Sequence, residues 1–79
     1  MNQHLVSVLA NIFSLRKDQI VIDLCKENIS SWDSLKQMDL VVTLEREFNV
    51  SLEIPDIIQM TSIRSIMTVL ENKGVNFGA

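Results

Sequence analysis

Apolar residues recur at helical spacing in separate runs of this sequence, and between the first two runs lies a stretch, residues 16–31, where that period vanishes. Such a pattern specifies helices joined by one long connection, because each periodic run can bury a stripe only as a helix. Leu5, Val8, Leu9, Ile12 and Phe13 predict an amphipathic helix over residues 2–15. In the aperiodic stretch Ile20, Ile22 and Leu24 alternate with Val21 and Asp23, a run too short to build a sheet, and they read as apolar anchors of a loop. A loop of that length in a small domain is either functional or packed on its own side chains.

Leu35, Met38, Val41, Val42, Leu44 and Phe48, widened by Leu40, predict a second and best-formed helix over residues 34–48, ended by Asn49, which tolerates left-handed backbone angles. Pro55 suits the first turn of a short helix over residues 55–59, with Ile57, Ile58 and Met60 as its apolar contacts. Thr61 reads as the N-cap of a last helix over residues 62–73, whose buried stripe is Ile63, Ile66, Met67 and Leu70 and whose end Gly74 marks. Residues 75–79 are expected to fray. The fold class is all-α, a four-helix bundle with a short third helix and a long loop between helices 1 and 2.

With 79 residues, the chain is expected to form a single domain spanning residues 1–79. A domain of this size has little room for a deep catalytic cavity. Cys25 is the only cysteine, so an intramolecular disulfide and a multi-cysteine zinc site are excluded, and a reducing cytoplasmic location is the simplest expectation. The sequence shows neither an apolar run long enough for a membrane span nor a signal peptide, so export and stable membrane insertion are not expected. The formal net charge of -3 speaks against nucleic acid, which demands clustered positive charge. The acids concentrate in the middle: Asp33, Asp39, Glu45, Glu47, Glu53 and Asp56 against Lys36 and Arg46, a local sum of -4. That field either steers a basic partner or is simply a solvated helix face.

The chemistry-bearing stretch is Ser31-Trp32-Asp33-Ser34-Leu35, which puts a hydroxyl and a carboxylate at the junction of the long loop and the second helix. A helix N-terminus carries unpaired amide hydrogens and partial positive charge, so a phosphate on Ser34 would sit where anions are stabilised. Asp33 or Ser34 also reads as a plain N-cap. Around them, Met38, Asp39, Leu40-Val41 and Leu44-Glu45-Arg46-Glu47-Phe48 complete a segment that resembles the second helix of acyl carrier proteins. The likeness extends along nearly the whole chain, through the short third helix near 56–59 to the Thr61-Ser62-Ile63 start of the last.

The resemblance implies that Ser34, flanked by Asp33 and Leu35, receives 4′-phosphopantetheine from coenzyme A through a phosphopantetheinyl transferase. It further implies a monomeric, non-catalytic carrier loaded by an acyl ligase or transferase and serving synthases or acyltransferases, as in fatty-acid biosynthesis. By the same likeness Leu35, Met38 and Val42 supply apolar contacts to partners, and Asp39, Glu45 and Asp56 supply charge. Trp32 stands where a small residue is usual, and either contacts partners or plugs the loop onto the bundle. Lys36 and Arg46 stand where carriers of general fatty-acid synthesis have acids, which implies partners with another charge pattern. An aminoacyl or D-alanyl carrier of the same fold stays open, as does an unmodified helical adaptor. His4 is isolated from the serine, Cys25 reads as a loop anchor, and Met60 and Met67 read as core. No set of residues forms a hydrolytic or metal centre in the sequence.

Overall fold

The computed structural model describes residues 1–77. Four α-helices account for its regular structure: α1 (Gln3–Phe13), α2 (Ser34–Phe48), α3 (Ile54–Gln59) and α4 (Ile63–Asn72). The bundle is all-α among the described residues, and α1 packs against α2 as α3 packs against α4.

α1 starts where the Asn2 side chain accepts a hydrogen bond from the Leu5 amide at 3.0 Å. It ends two residues short of Leu15 because Ser14 turns left-handed, at φ 55°, and directs its amide to the Ala10 carbonyl. Its buried face is wider than the sequence stripe, since Val6 and Ala10 are buried beside Leu5, Val8, Leu9, Ile12 and Phe13.

The aperiodic stretch folds into two single-turn 3-10 segments, Lys17–Gln19 and Lys26–Asn28. Periodicity could not reveal them, because one turn contains no repeat. Each turn is closed by a side chain: Gln19 accepts from the Arg16 amide at 2.8 Å and Asn28 from the Cys25 amide at 2.9 Å. Ile20 and Ile29 are the buried anchors. The loop is also stitched to the start of α4, the Lys26 amide donating to the Thr61 carbonyl at 2.8 Å and the Ile63 amide to the Leu24 carbonyl at 2.9 Å. Its length is thus spent on a fixed path from the end of α1 to the start of α2.

α2 has the expected bounds and ends as expected at Asn49, left-handed at φ 54°, whose amide donates to the Glu45 carbonyl. α3 begins at Ile54, one residue early, with Pro55 inside its first turn and the Asp56 carboxylate accepting from the Glu53 amide at 2.9 Å. Ile57 is half-buried and Met60 fully buried, but Ile58 is exposed, which removes it from the expected apolar contacts of this helix.

The last helix corrects two further expectations. Its N-cap is Ser62, not Thr61: the Ser62 hydroxyl accepts from the Ser65 amide and the Ser65 hydroxyl accepts from the Ser62 amide, both at 3.0 Å. Its buried stripe contains Val69 with Ile63, Ile66 and Leu70, while Met67 is only partly buried against the core. Gly74 follows at φ 94°, and the Val75 amide returns to the Leu70 carbonyl at 3.0 Å. Beyond it Val75 and Phe77 pack on the core, Phe77 edge-on to Phe48 at 6.0 Å, so fraying does not describe residues 75–77. The expectation for residues 78–79 lies outside the described residues.

Candidate functional site

Ser34 is the first residue of α2, and three local features set it there. The Trp32 amide donates to the Ile29 carbonyl at 3.1 Å and the Asp33 amide to the Ser31 carbonyl at 3.0 Å, which turns the loop out of its buried anchor. Asp33 then takes an extended conformation as N-cap, its carboxylate accepting from the Lys36 amide at 2.9 Å. The Asp33 carbonyl accepts from the Gln37 amide at 2.8 Å, closing the first turn.

Two amides, those of Ser34 and Leu35, remain without an acceptor among the described residues, and the exposed Ser34 hydroxyl makes no hydrogen bond. A phosphodiester on that oxygen would meet free N–H groups and the positive end of a fifteen-residue helix. The residues present fit a phosphate-linked group at this position. The N-cap role belongs to Asp33, so the serine hydroxyl is not committed to closing the helix.

Trp32 lies directly behind the site, 3% exposed, its ring centroid 4.7 Å from that of Phe13. Its Nε1 donates to the Gln37 side-chain oxygen at 2.6 Å, and the Gln37 amide nitrogen donates onward to the carbonyls of Ile57 at 3.0 Å and Met60 at 3.2 Å. The expected partner contact at Trp32 is therefore corrected: burial withdraws the indole from any partner, and it plugs the loop onto the bundle. Gln37 carries no sequence signal of this role, since its partners are brought together only by the fold.

On the outer side of α2, Leu35 is 82% exposed, and Met38 and Val42 are also exposed. On α3, Ile54 and Ile58 add two exposed apolar residues, and only Ile58 had been expected among the helix's apolar contacts. The expected charges are placed less uniformly. Asp39 is exposed, with Lys36 Nζ at 3.9 Å and the Thr43 hydroxyl donating to it at 3.3 Å. Glu45 is half-buried and accepts from the Leu52 amide at 2.9 Å, fixing the turn after α2. Asp56 is half-buried against Lys73 Nζ at 2.8 Å. The Lys73 ammonium and the Glu53 amide hold its carboxyl below the ordinary 3.8 against opposing desolvation, and Asp56 in turn holds Lys73 above 10.5.

His4, isolated in sequence, meets the far end of α2, its Nε2 3.0 Å from a Glu47 oxygen and its ring 5.0 Å from Phe48. That hydrogen bond is the main reason the Glu47 carboxyl lies below its ordinary 4.5. Between α1 and α2, next to this contact, runs a groove of about 380 Å³ lined by Val8, Ile12, Asp39, Thr43, Arg46 and Glu47. A second groove, of about 260 Å³, lies under the loop between Phe13, Leu24, Ile29 and Ser31. No described helix is long and apolar enough to cross a membrane.

Residues 32–70, from the buried tryptophan to the last core leucine of α4, match the family described as phosphopantetheine attachment site. No curated protein matches the chain. The match over residues 32–70 and the four-helix fold, with α2 opening on an exposed serine, are those of a phosphopantetheine-attachment domain, a family that holds 4′-phosphopantetheine covalently, and they are consistent with a carrier domain of the acyl carrier protein family.

Proposed function

We propose that Ser34 is the attachment residue and that the chain acts as a non-catalytic acyl carrier serving a dedicated acyl-transfer pathway. The observation that supports this most directly is the Ser34 hydroxyl itself, exposed, unbonded and placed at the amide-rich start of α2 within the family-matched segment. In the attachment step the Ser34 oxygen forms a bond to the β-phosphorus of coenzyme A, the phosphoanhydride bond breaks and 3′,5′-adenosine bisphosphate leaves. The hydroxyl proton passes to a base on the transferase. Asp33 is held by the Lys36 amide and supplies the rigid turn that keeps the serine oxygen outward. Once bound, the group supplies a terminal thiol able to hold acyl chains as thioesters.

The carrier reading is supported by an oxygen left open to an external enzyme: among the described residues, no His, Lys or carboxylate side chain hydrogen-bonds the Ser34 hydroxyl. Leu35, Met38 and Val42 form the contact row for the transferase, the loading enzyme and the acyl-accepting enzymes, with Asp39 beside it. Tethering gives each docked enzyme a high effective concentration of the cargo, which is the physical advantage of a carrier. Intact-mass measurement after incubation with coenzyme A and a broad-range phosphopantetheinyl transferase tests the assignment. The unaltered chain should gain one phosphopantetheine and Ser34→Ala none; a gain by the alanine variant would move the attachment elsewhere.

A further inference from the structure

Resting on the carrier reading, we propose that the loop between α1 and α2 contains a seat for the pantetheine arm. The groove under the loop takes the pantoyl section and the amides next to it, while the terminal thiol and its cargo stay outside. This groove, about 260 Å³, lies between the end of α1 and the loop, and the exposed Ser31 is part of its lining. Three Cα steps of about 3.8 Å separate Ser31 from Ser34, so that edge lies within about 11 Å of the anchor. An arm built of a phosphate, a pantoyl group and two amide units, each of the last spanning about 3.8 Å, reaches past Ser31 into the groove. Pockets that enclose whole ligands run to about 300–1,000 Å³, so this one fits a section of the arm and leaves no room for an acyl chain.

The lining offers the two chemistries that this section presents. Phe13 and Ile29, both buried, and Leu24, partly buried, provide apolar walls for the two methyl groups of the pantoyl unit. Beside them stand polar groups with bonding capacity to spare. The Gln19 and Asn28 side-chain oxygens close the two 3-10 turns by accepting from the Arg16 and Cys25 amides. Their NH2 groups are left without an acceptor among the described residues, and the Ser30 and Ser31 hydroxyls and amides are unbonded there too. The NH2 donors suit the amide carbonyls of the arm, and the serine hydroxyls suit its N–H groups.

The seat is formed before the arm arrives. Phe13 is held by the Trp32 ring at 4.7 Å, and the loop is bonded to the start of α4 through the Lys26 and Ile63 amides. A preformed wall costs little ordering when it is occupied, and the tether keeps the arm at high effective concentration, so weak contacts suffice. The length of the loop thereby gains a use besides its own packing.

The experiment converts the full, isotope-labelled chain to its modified form with coenzyme A and the broad-range transferase, intact mass establishing complete conversion. NMR spectra of the modified and unmodified chains are then compared. The amides of Leu24, Asn28, Ser30 and Ser31 and the side-chain NH2 groups of Gln19 and Asn28 should shift. The unlabelled pantoyl methyls should give cross-peaks to Phe13, Leu24 and Ile29. Gln19→Glu with Asn28→Asp keeps a side-chain oxygen for each turn and replaces both donors by carboxylates, which repel the carbonyls of the arm. In that variant the cross-peaks should weaken by about threefold or more, with circular dichroism establishing that it is folded.

The proposal is overturned if the shifts in the unaltered chain stay within residues 33–37 and the arm gives no cross-peak to the groove, or if the folded double variant keeps the cross-peaks at full strength. Both results leave the carrier reading standing, since the arm is then on the chain. A folded chain that gains no mass removes the carrier reading, and this proposal with it.

Discussion

Trp32 joins the loop to the bundle through two separable contacts, ring packing on Phe13 and a hydrogen bond to Gln37. Trp32→Phe keeps an aromatic ring and removes the donor, leaving the half-buried Gln37 oxygen without this partner, at a cost of about 1 kcal/mol. Trp32→Ala also empties the space beside Phe13 and should cost about 3–5 kcal/mol. Urea unfolding of both variants measures the difference, and equal midpoints for Trp32→Ala and the unaltered chain would show that the ring is not part of the core. Ser34 should be indifferent to Trp32→Phe, because Asp33, not Trp32, caps α2. Composition and order indicate that an aromatic residue precedes Asp33, but only the fold decides between contact and plug. The deciding partner, Gln37, belongs to a residue type common on solvated helix faces, and its acceptors lie twenty and more residues away.

Helix ends divide into those that sequence specifies and those that tertiary contacts specify. Asn49 is a residue type that enters the left-handed region at little cost, and it ends α2 where the periodicity stops. Ser14 takes the same conformation without such a signal, so α1 runs shorter than its apolar pattern. Exchanging each for glycine separates them: Ser14→Gly should stabilise by up to about 1 kcal/mol and Asn49→Gly by much less. At the start of α4 two adjacent hydroxyl residues offer equal caps to a sequence reader. The hydrogen bond from the Lys26 amide in the loop takes the Thr61 carbonyl, and the reciprocal Ser62–Ser65 bonds then define the cap one residue later. Ser62→Ala should cost about 1 kcal/mol and Thr61→Ala less than about 0.5 kcal/mol, read from thermal unfolding; the reverse order would restore Thr61 as the cap. The two 3-10 turns are illegible for a related reason, since a single turn held by Gln19 or Asn28 has no period to detect.

At the scale of the molecule, apolar burial builds the bundle, and polar side-chain contacts join parts of the chain that lie far apart. His4 and Glu47 connect the start of α1 to the end of α2, Arg64 and Asp23 connect α4 to the loop at 2.8 Å, and Lys73 and Asp56 connect the residue after α4 to α3. None was legible in the sequence, because charge patterning predicts neighbours on one helix and these pairs are separated by many residues. They give the fold a definite dependence on pH. Asp56 has a carboxyl held below 3.8 by the Lys73 hydrogen bond, so its contribution is complete above 3.8 and is lost as the pH falls through the lowered value. Glu47, held below 4.5 chiefly by the His4 hydrogen bond, behaves in the same sense from a higher starting point. Lys73, held above 10.5 by Asp56, contributes fully below 10.5, and that contribution disappears as the pH rises through the raised value. Stability measured by urea unfolding should therefore decline on both the acidic and the strongly basic side. Lys73→Met should be less stable than the unaltered chain at neutral pH and should converge with it in acid, once Asp56 is protonated in both. The carboxyl resonance of Asp56, followed by NMR, should titrate at higher pH in that variant; an unchanged midpoint would mean that the ammonium across from it is not what holds the carboxylate.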